Sequence, residues 1–256
     1  IMAGGPVSGD LLARFETIID KGCKIYTPYG ATEVLPVSLI DRREILDETW
    51  SLSNQGKGTC VGHPIPGVEI KIIEISDQPI LKWQDVNESG TNIVGEIAVK
   101  AEWATRTYFN RQDLTQLAKI EDGNSFWHRM GDLGRLDEKN RLWFYGRKNQ
   151  RVVTEFETLY TIPCEAIFNQ HPDVKRSALV GTGYKTKPVI IIEPVERIKS
   201  QAARQKFTAE LLERGAKSSL TQSITKVLFH EEFPVDVRHN AKIFREKLSL
   251  WAENQK

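Results

Sequence analysis

The residues best suited to chemistry in this chain stand around one hairpin. Gly131-Asp132 opens it and Gly146-Arg147 closes it, with a polar turn over Asp137 to Asn140 and large apolar residues alternating on the return stretch. A carboxylate at Asp132 can accept hydrogen bonds from two vicinal hydroxyls, as on a ribose. Arg147 offers a rigid fork of donors for hydroxyl or phosphate oxygens. An ordinary hairpin with an Asp turn and a solvated Arg has the same pattern. A second group lies in Tyr29-Gly30-Ala31-Thr32-Glu33. Tyr29 offers an aromatic face for stacking on a base, Thr32 a hydroxyl for a phosphate, and Glu33 a carboxylate for Mg²⁺. The alternative is a surface loop with Tyr29 as a lid on the core.

These residues need elements to position them. Leu11, Leu12, Phe15, Ile18 and Ile19 recur at helical spacing, with Asp10 in the first turn and Gly22 as the stop. Cys23 to Tyr26 reads as a short strand feeding the loop Thr27-Pro28-Tyr29-Gly30. That is a helix–strand–loop unit of an α/β layer, where ligands gather at the carboxyl ends of strands. Residues 41–58 are polar and expected to be irregular. Gly62 to Gly67 is turn-rich, and Val68 to Ile75 and Gly95 to Lys100 are strands. Short strands with turn signals predict a small β-barrel or a second sheet.

After Asn149 the chain becomes more polar and more helical. A helix is expected at Pro163 to Asn169, then two strands, Arg176 to Val180 and Pro188 to Glu193, joined by a Gly-rich hairpin. Ala203, Phe207 and Leu211 give one helix stripe, Leu220, Ile224 and Val227 a second, and Lys226 to Phe233 a last strand. The expected layout is an α/β domain over 1–148 and an α+β domain over 149–256.

A chain of 256 residues, 40% hydrophobic and 27% charged, has room for two packed cores. A net charge of +1 gives no bulk attraction to nucleic acid or an anionic membrane. No apolar run approaches the roughly 20 residues that span a bilayer, and no signal peptide is visible. Cys23, Cys60 and Cys164 are widely spaced. They read as packing residues in a reducing, cytoplasmic compartment, with neither a disulfide framework nor a zinc site.

Three stretches in order, Tyr29 to Glu33, Gly131-Asp132 with Gly146-Arg147, and Asn240-Ala241-Lys242, resemble the AMP-forming acyl-activating superfamily. That superfamily holds acyl-CoA synthetases, luciferases and adenylation domains. The resemblance implies ATP and Mg²⁺ as cofactors and a small-molecule carboxylic acid as substrate; pathway partners are left open. It assigns Gly4 and Gly5 to the segment passing the adenine, with Tyr29, Gly30, Thr32, Asp132 and Arg147 around the nucleotide. Glu33 is the metal ligand, Asn149 the hinge of a mobile C-terminal lid, and Lys242 the catalytic lysine, with Thr32 and Glu33 beside it. Ala241 stands where the superfamily usually has Gly. A lysine in a basic tail can equally be a solvated one.

Thr27 to Ser38, the hairpin through Val153, and the tail most resemble one branch, the β-lactone synthetases of olefin biosynthesis. The branch implies closure of a β-lactone from a long-chain 2-alkyl-3-hydroxy acid. A fatty acyl-CoA or acyl-AMP ligase is the alternative. The resemblance spans only the second half of such enzymes, and the Ser/Thr/Gly-rich phosphate loop has no counterpart. The chain is therefore expected to be part of a longer enzyme and inactive alone, or an inactive nucleotide-binding remnant.

Overall fold

The computed structural model describes residues 1–256 apart from positions 4, 6, 21, 184–185, 237–241 and 256. The chain divides into two compact units, residues 1–51 with 58–149, and residues 52–57 with 150–256.

In the first unit, α1 (Gly9–Glu16) is capped by Ser8, whose side chain accepts from the Leu11 N–H at 3.2 Å. It stops before Gly22 because the Thr17 hydroxyl turns back onto the Arg14 carbonyl at 2.8 Å. Tyr26–Ala31 is itself a strand, β1, joined through a turn at Thr32-Glu33 to β2 (Val34–Asp41), its antiparallel partner. This hairpin replaces the expected strand at Cys23 to Tyr26 and its loop. Val34, Val37 and Ile40 are core residues, so β1 finds its partner immediately downstream and needs no crossover.

Residues 42–54 are helical where their polarity predicts irregular backbone: α2 (Arg42–Glu44), a π-helical stretch (Ile45–Thr49) and α3 (Trp50–Asn54). Asp41 caps the run by accepting from the Arg43 N–H at 2.8 Å, and Arg42, Ile45 and Thr49 are buried at helical spacing.

The unit continues through β3 (Thr59–Pro64), β4 (Val68–Ile73), β5 (Gly95–Ala101), α4 (Gln112–Ala118), β6 (Lys119–Asp122), β7 (Ser125–Leu136) and β8 (Leu142–Arg147). The strand order is β1-β2-β3-β8-β7-β5-β4, with β6 on β7. The expected small β-barrel does not form. Closure needs the two edges to meet, and among the described residues β1 and β4 do not pair. The outer edge of β4 is instead met by the next loop, where the Ser89 N–H reaches the Ile72 carbonyl at 2.7 Å. The Met2 N–H likewise reaches the Tyr26 carbonyl of β1 at 3.0 Å. Val34, Val37, Ile70, Ile72, Ile97 and Leu142 form the core.

The second unit holds β9 (Val152–Val153), β10 (Thr158–Leu159), α5 (Thr161–Asn169), β11 (Val174–Thr182), β12 (Lys187–Pro194), α6 (Gln201–Ala216), β13 (Lys226–Phe229) and α7 (Arg245–Glu253). β11 and β12 are antiparallel, and β13 joins β12 in parallel. Alternation splits their side chains between two cores. Leu179, Ile190 and Ile192 pack with Phe168, Phe207 and Leu211 from α5 and α6. Ala178, Val180, Val189 and Ile191 pack with Leu248 and Ala252 from α7.

The second helix stripe is overturned. Leu220 and Ile224 lie outside helices, and Val227 is in β13, opposite Ile190 of β12. Helix α7 has no counterpart in the reading of the tail. Cys60 and Cys164 are buried packing residues, whereas Cys23 is exposed and packs in no core. No described helix is long and apolar enough to cross a membrane.

Candidate functional site

The central hairpin β7–β8 pairs Asp132 with Arg147 across its two strands, and β1 brings Tyr29 to the same carboxylate. The Tyr29 hydroxyl donates to Asp132 Oδ2 at 2.7 Å. Arg147 Nη1 lies 3.0 Å from Asp132 Oδ1. That second contact is an ion pair without hydrogen-bond alignment, so the buried Oδ1 keeps its acceptor capacity. Asp132 is 4% exposed, while the Arg147 side chain is 49% exposed. Burial pushes the Asp132 carboxyl up, against the opposing pull of the Arg147 charge and the Tyr29 hydroxyl. Burial, and then the Asp132 charge, push the Tyr29 phenol well above its ordinary value, so it remains a donor. The Tyr29 ring leans on Phe144 of β8, with centroids 6.0 Å apart.

Thr32 and Glu33 form the turn between β1 and β2, and the Thr32 side chain is exposed. The Glu33 carbonyl accepts from the Thr105 N–H at 2.8 Å, and its carboxylate Oε1 accepts from the Tyr108 hydroxyl at 2.7 Å. Burial raises the Glu33 carboxyl, but the Tyr108 hydroxyl, a backbone N–H, His128 in its protonated form and the Lys119 charge outweigh it, and the net shift is downward. Glu33 is thus an anion with one oxygen committed, and its other oxygen suits a metal that takes one carboxylate oxygen and keeps water.

The surroundings of Glu33 were not foreseen. Tyr108 lies 75 residues downstream, and nothing in the spacing shows its phenol reaching residue 33. Lys119 and His128 face each other across β6 and β7, both buried. Among the described residues Lys119 Nζ has no hydrogen-bond partner, and it sits 5.1 Å from the Phe126 ring centroid and 5.9 Å from that of Tyr108. Burial lowers it to about 8. Burial and the Lys119 charge bring His128 down to about 4.

The remaining candidates are spread along the chain. Gly30 is in β1, Gly5 lies in a bend before α1, and Gly4 is outside the described residues. Asn149 ends the first unit. Lys242 belongs to the second unit, where its carbonyl accepts from the Asp236 N–H at 3.0 Å. Asn240 and Ala241 are outside the described residues.

Residues 1–109 match the AMP-binding enzyme family. The chain is 44% identical, over 99% of its length, to the olefin beta-lactone synthetase of Xanthomonas campestris pv. campestris, of which it covers 47%. It is 41% identical, over 98% of its length, to the olefin beta-lactone synthetase of Stenotrophomonas maltophilia, of which it covers 46%. The chain therefore spans about half the length of the curated relatives it matches. The amide bond synthetase McbA from Marinactinospora thermotolerans is similar in fold, with a TM-score of 0.72 at 20% identity over 97% of this chain and 46% of that one. At that identity the likeness concerns the α/β fold alone.

Proposed function

Because the chain belongs to the AMP-binding enzyme family, we propose that it supplies the adenosine-binding side and the mobile C-terminal domain of an ATP-dependent ligase. The ligase activates a carboxylic acid as its acyl-adenylate. In this reading Asp132 holds the ribose hydroxyls through its unspent oxygen, Arg147 reaches ribose or phosphate from its exposed position, and Tyr29 fixes Asp132 while its ring borders the base. Gly4, Gly5 and Gly30 line the nucleotide, and the exposed Thr32 hydroxyl meets a phosphate. Glu33 would hold Mg²⁺, which neutralises phosphate charge when bound. Lys242 bridges the carboxylate and the α-phosphate as the adenylate forms. Residues 1–148 and 149–256 act as two domains that pivot at Asn149.

The substrate's carboxylate oxygen attacks the α-phosphorus, and pyrophosphate leaves with the broken bridging bond. For a 3-hydroxy acid, the hydroxyl oxygen then attacks the acyl carbon, AMP leaves, and the hydroxyl proton passes to solvent as a β-lactone closes. The observation that supports this product is the 44% identity to a named olefin beta-lactone synthetase over nearly the whole chain. A tethered hydroxyl needs only orientation to outcompete a diffusing thiol.

The test is a product assay on an active protein of the relatives' length that carries this chain. A long-chain 2-alkyl-3-hydroxy acid and its deoxy analogue are each given ATP, with and without coenzyme A. The hydroxy acid should yield β-lactone, AMP and pyrophosphate at a rate indifferent to coenzyme A, and the deoxy acid should stall as adenylate. A coenzyme A thioester as main product would leave only the adenylation half standing.

A further inference from the structure

The Lys242 segment stands on a defined stem. Ile243 pairs antiparallel with Val235, and the Phe244 N–H reaches the Pro234 carbonyl at 2.9 Å. Ile243 packs against the core of Val180, Val189 and Leu248. Arg245 then opens α7 and grips Glu165 of α5. Its Nη2 donates to Oε2 at 2.7 Å and to Oε1 at 2.9 Å, and its Nε donates to Oε1 at 3.0 Å. Glu165 is 5% exposed, and its Oε1 also accepts the Leu179 N–H of β11 at 2.9 Å. The remaining guanidinium nitrogen, Nη1, reaches Gln150 Oε1 at 3.4 Å.

One guanidinium thus ties together three segments: the residue that follows Asn149, helix α5 with strand β11, and the base of the Lys242 stem. A buried ion pair is weak evidence for stability, since an apolar pair of the same volume often does as well. What this pair adds is direction. The planar fork fixes Arg245 against Glu165 in two dimensions, which neither an apolar contact nor a lysine can do. A lysine acting on developing charge is sensitive to such fixing, because a misplacement of about 1 Å can cost about 100-fold in rate.

We propose that Arg245 and Glu165 are positioning residues for Lys242. They lock its stem and the entry to the second unit into one rigid piece, so that motion at Asn149 is delivered to the lysine undiminished. The proposal rests on the reading of Lys242 as the adenylation lysine.

The test is ATP–pyrophosphate exchange in an active protein carrying this chain, with Lys242→Ala, Arg245→Lys, Glu165→Gln and the Lys242→Ala/Arg245→Lys double variant. Arg245→Lys and Glu165→Gln should each lower kcat by about 10- to 100-fold, with KM for ATP unchanged. The double variant should be no slower than Lys242→Ala, because the second change then has nothing left to position. Amide hydrogen exchange on the same proteins gives a reading independent of activity: protection over 243–248 should fall in Glu165→Gln while α6 is unaffected. Wild-type kcat in Arg245→Lys, multiplicative losses in the double variant, or unchanged protection would each overturn the positioning role. Unchanged exchange in Lys242→Ala would instead sink the assignment of Lys242, and the positioning role with it.

Discussion

A carboxylate buried as deeply as Asp132 needs partners for its charge, and Tyr29 and Arg147 divide that task. One gives a hydrogen bond from a phenol that stays protonated, the other a charge without hydrogen-bond alignment. The neighbourhood of Glu33 is built differently, with Lys119 and His128 buried beside each other and the imidazole held neutral. His128 carries the sharper pH consequence. Its ordinary value is 6.5, and in the fold it is brought down to about 4. Between those values the unfolded chain binds a proton that the folded chain refuses, so stability falls as pH drops from 6.5 towards 4. The gap sets an upper bound of about 3 kcal/mol on this one contribution. Glu33, lowered from 4.5, adds its own loss only below that value. His128→Asn removes the titration and places an amide donor near the position of Nδ1, which meets the Ala118 carbonyl at 3.2 Å. The expected result is a flatter dependence of Tm on pH above about 4.5. An unchanged slope in that window would mean that another group carries the acid sensitivity.

At the scale of elements, legibility followed how local each signal was. The β7–β8 hairpin could be read because its polar turn, Asp137 to Asn140, and the large apolar residues of its return strand are written in adjacent residues. The β1–β2 hairpin could not. Pro28 and Gly30 speak against a strand over Tyr26–Ala31, and only the pairing with β2 overrides them. The helical run at 42–54 was hidden by its polarity, since Arg42 and Thr49 are buried without being apolar. The barrel failed as an expectation because closure depends on two edges distant in sequence. The same separation in sequence hides the bond from Tyr108 to Glu33, whereas Tyr29, Asp132 and Arg147 are legible as candidates from residue type. The β2–β3 pairing offers a test of element geometry. Gly62 has φ +86°, and a Cβ there would lie 2.0 Å from the Leu39 carbonyl oxygen. Gly62→Ala must push β3 away from β2 and should cost more than about 2 kcal/mol. Gly123 is the control, with φ +60° and nothing within 4 Å of a Cβ, so Gly123→Ala should cost only about 1 kcal/mol of backbone strain. Equal melting temperatures for the two variants would show that the sheet yields at Gly62 without penalty.

For the whole molecule, the hydrophobic clusters among the described residues each lie within one unit. The chain passes between the units at 51–52, 57–58 and 149–150, and the flanks of the last crossing are held separately. Lys148 Nζ is held by the buried Glu96 carboxylate at 3.0 Å and by the Ser76 carbonyl at 2.7 Å, all within the first unit. Gln150 is held by Arg245 at 3.4 Å, within the second. Asn149 stands between these two held neighbours in a single 3-10 turn, Lys148–Gln150, and the proposed pivot there draws on the tolerance of Asn for unusual dihedral angles. Proline at this position fixes φ near about −65° and narrows the choices of the residue before it. If catalysis requires the second unit to change its orientation, Asn149→Pro should lower kcat for adenylation or for lactone release by at least about tenfold. AMP affinity should be retained, because Tyr29, Asp132 and Arg147 all belong to the first unit. Isothermal titration with AMP and steady-state pyrophosphate release, run on the same preparation with its thermal melt, separate a locked pivot from a damaged fold. Turnover at the wild-type rate would place the hinge elsewhere or remove the need for one. A parallel loss of AMP binding would mean that the substitution had disturbed Arg147 through Lys148, and had not tested the pivot in isolation; Asn149→Gly, which loosens the same bond pair without moving its neighbours, should then leave AMP binding intact and still alter kcat.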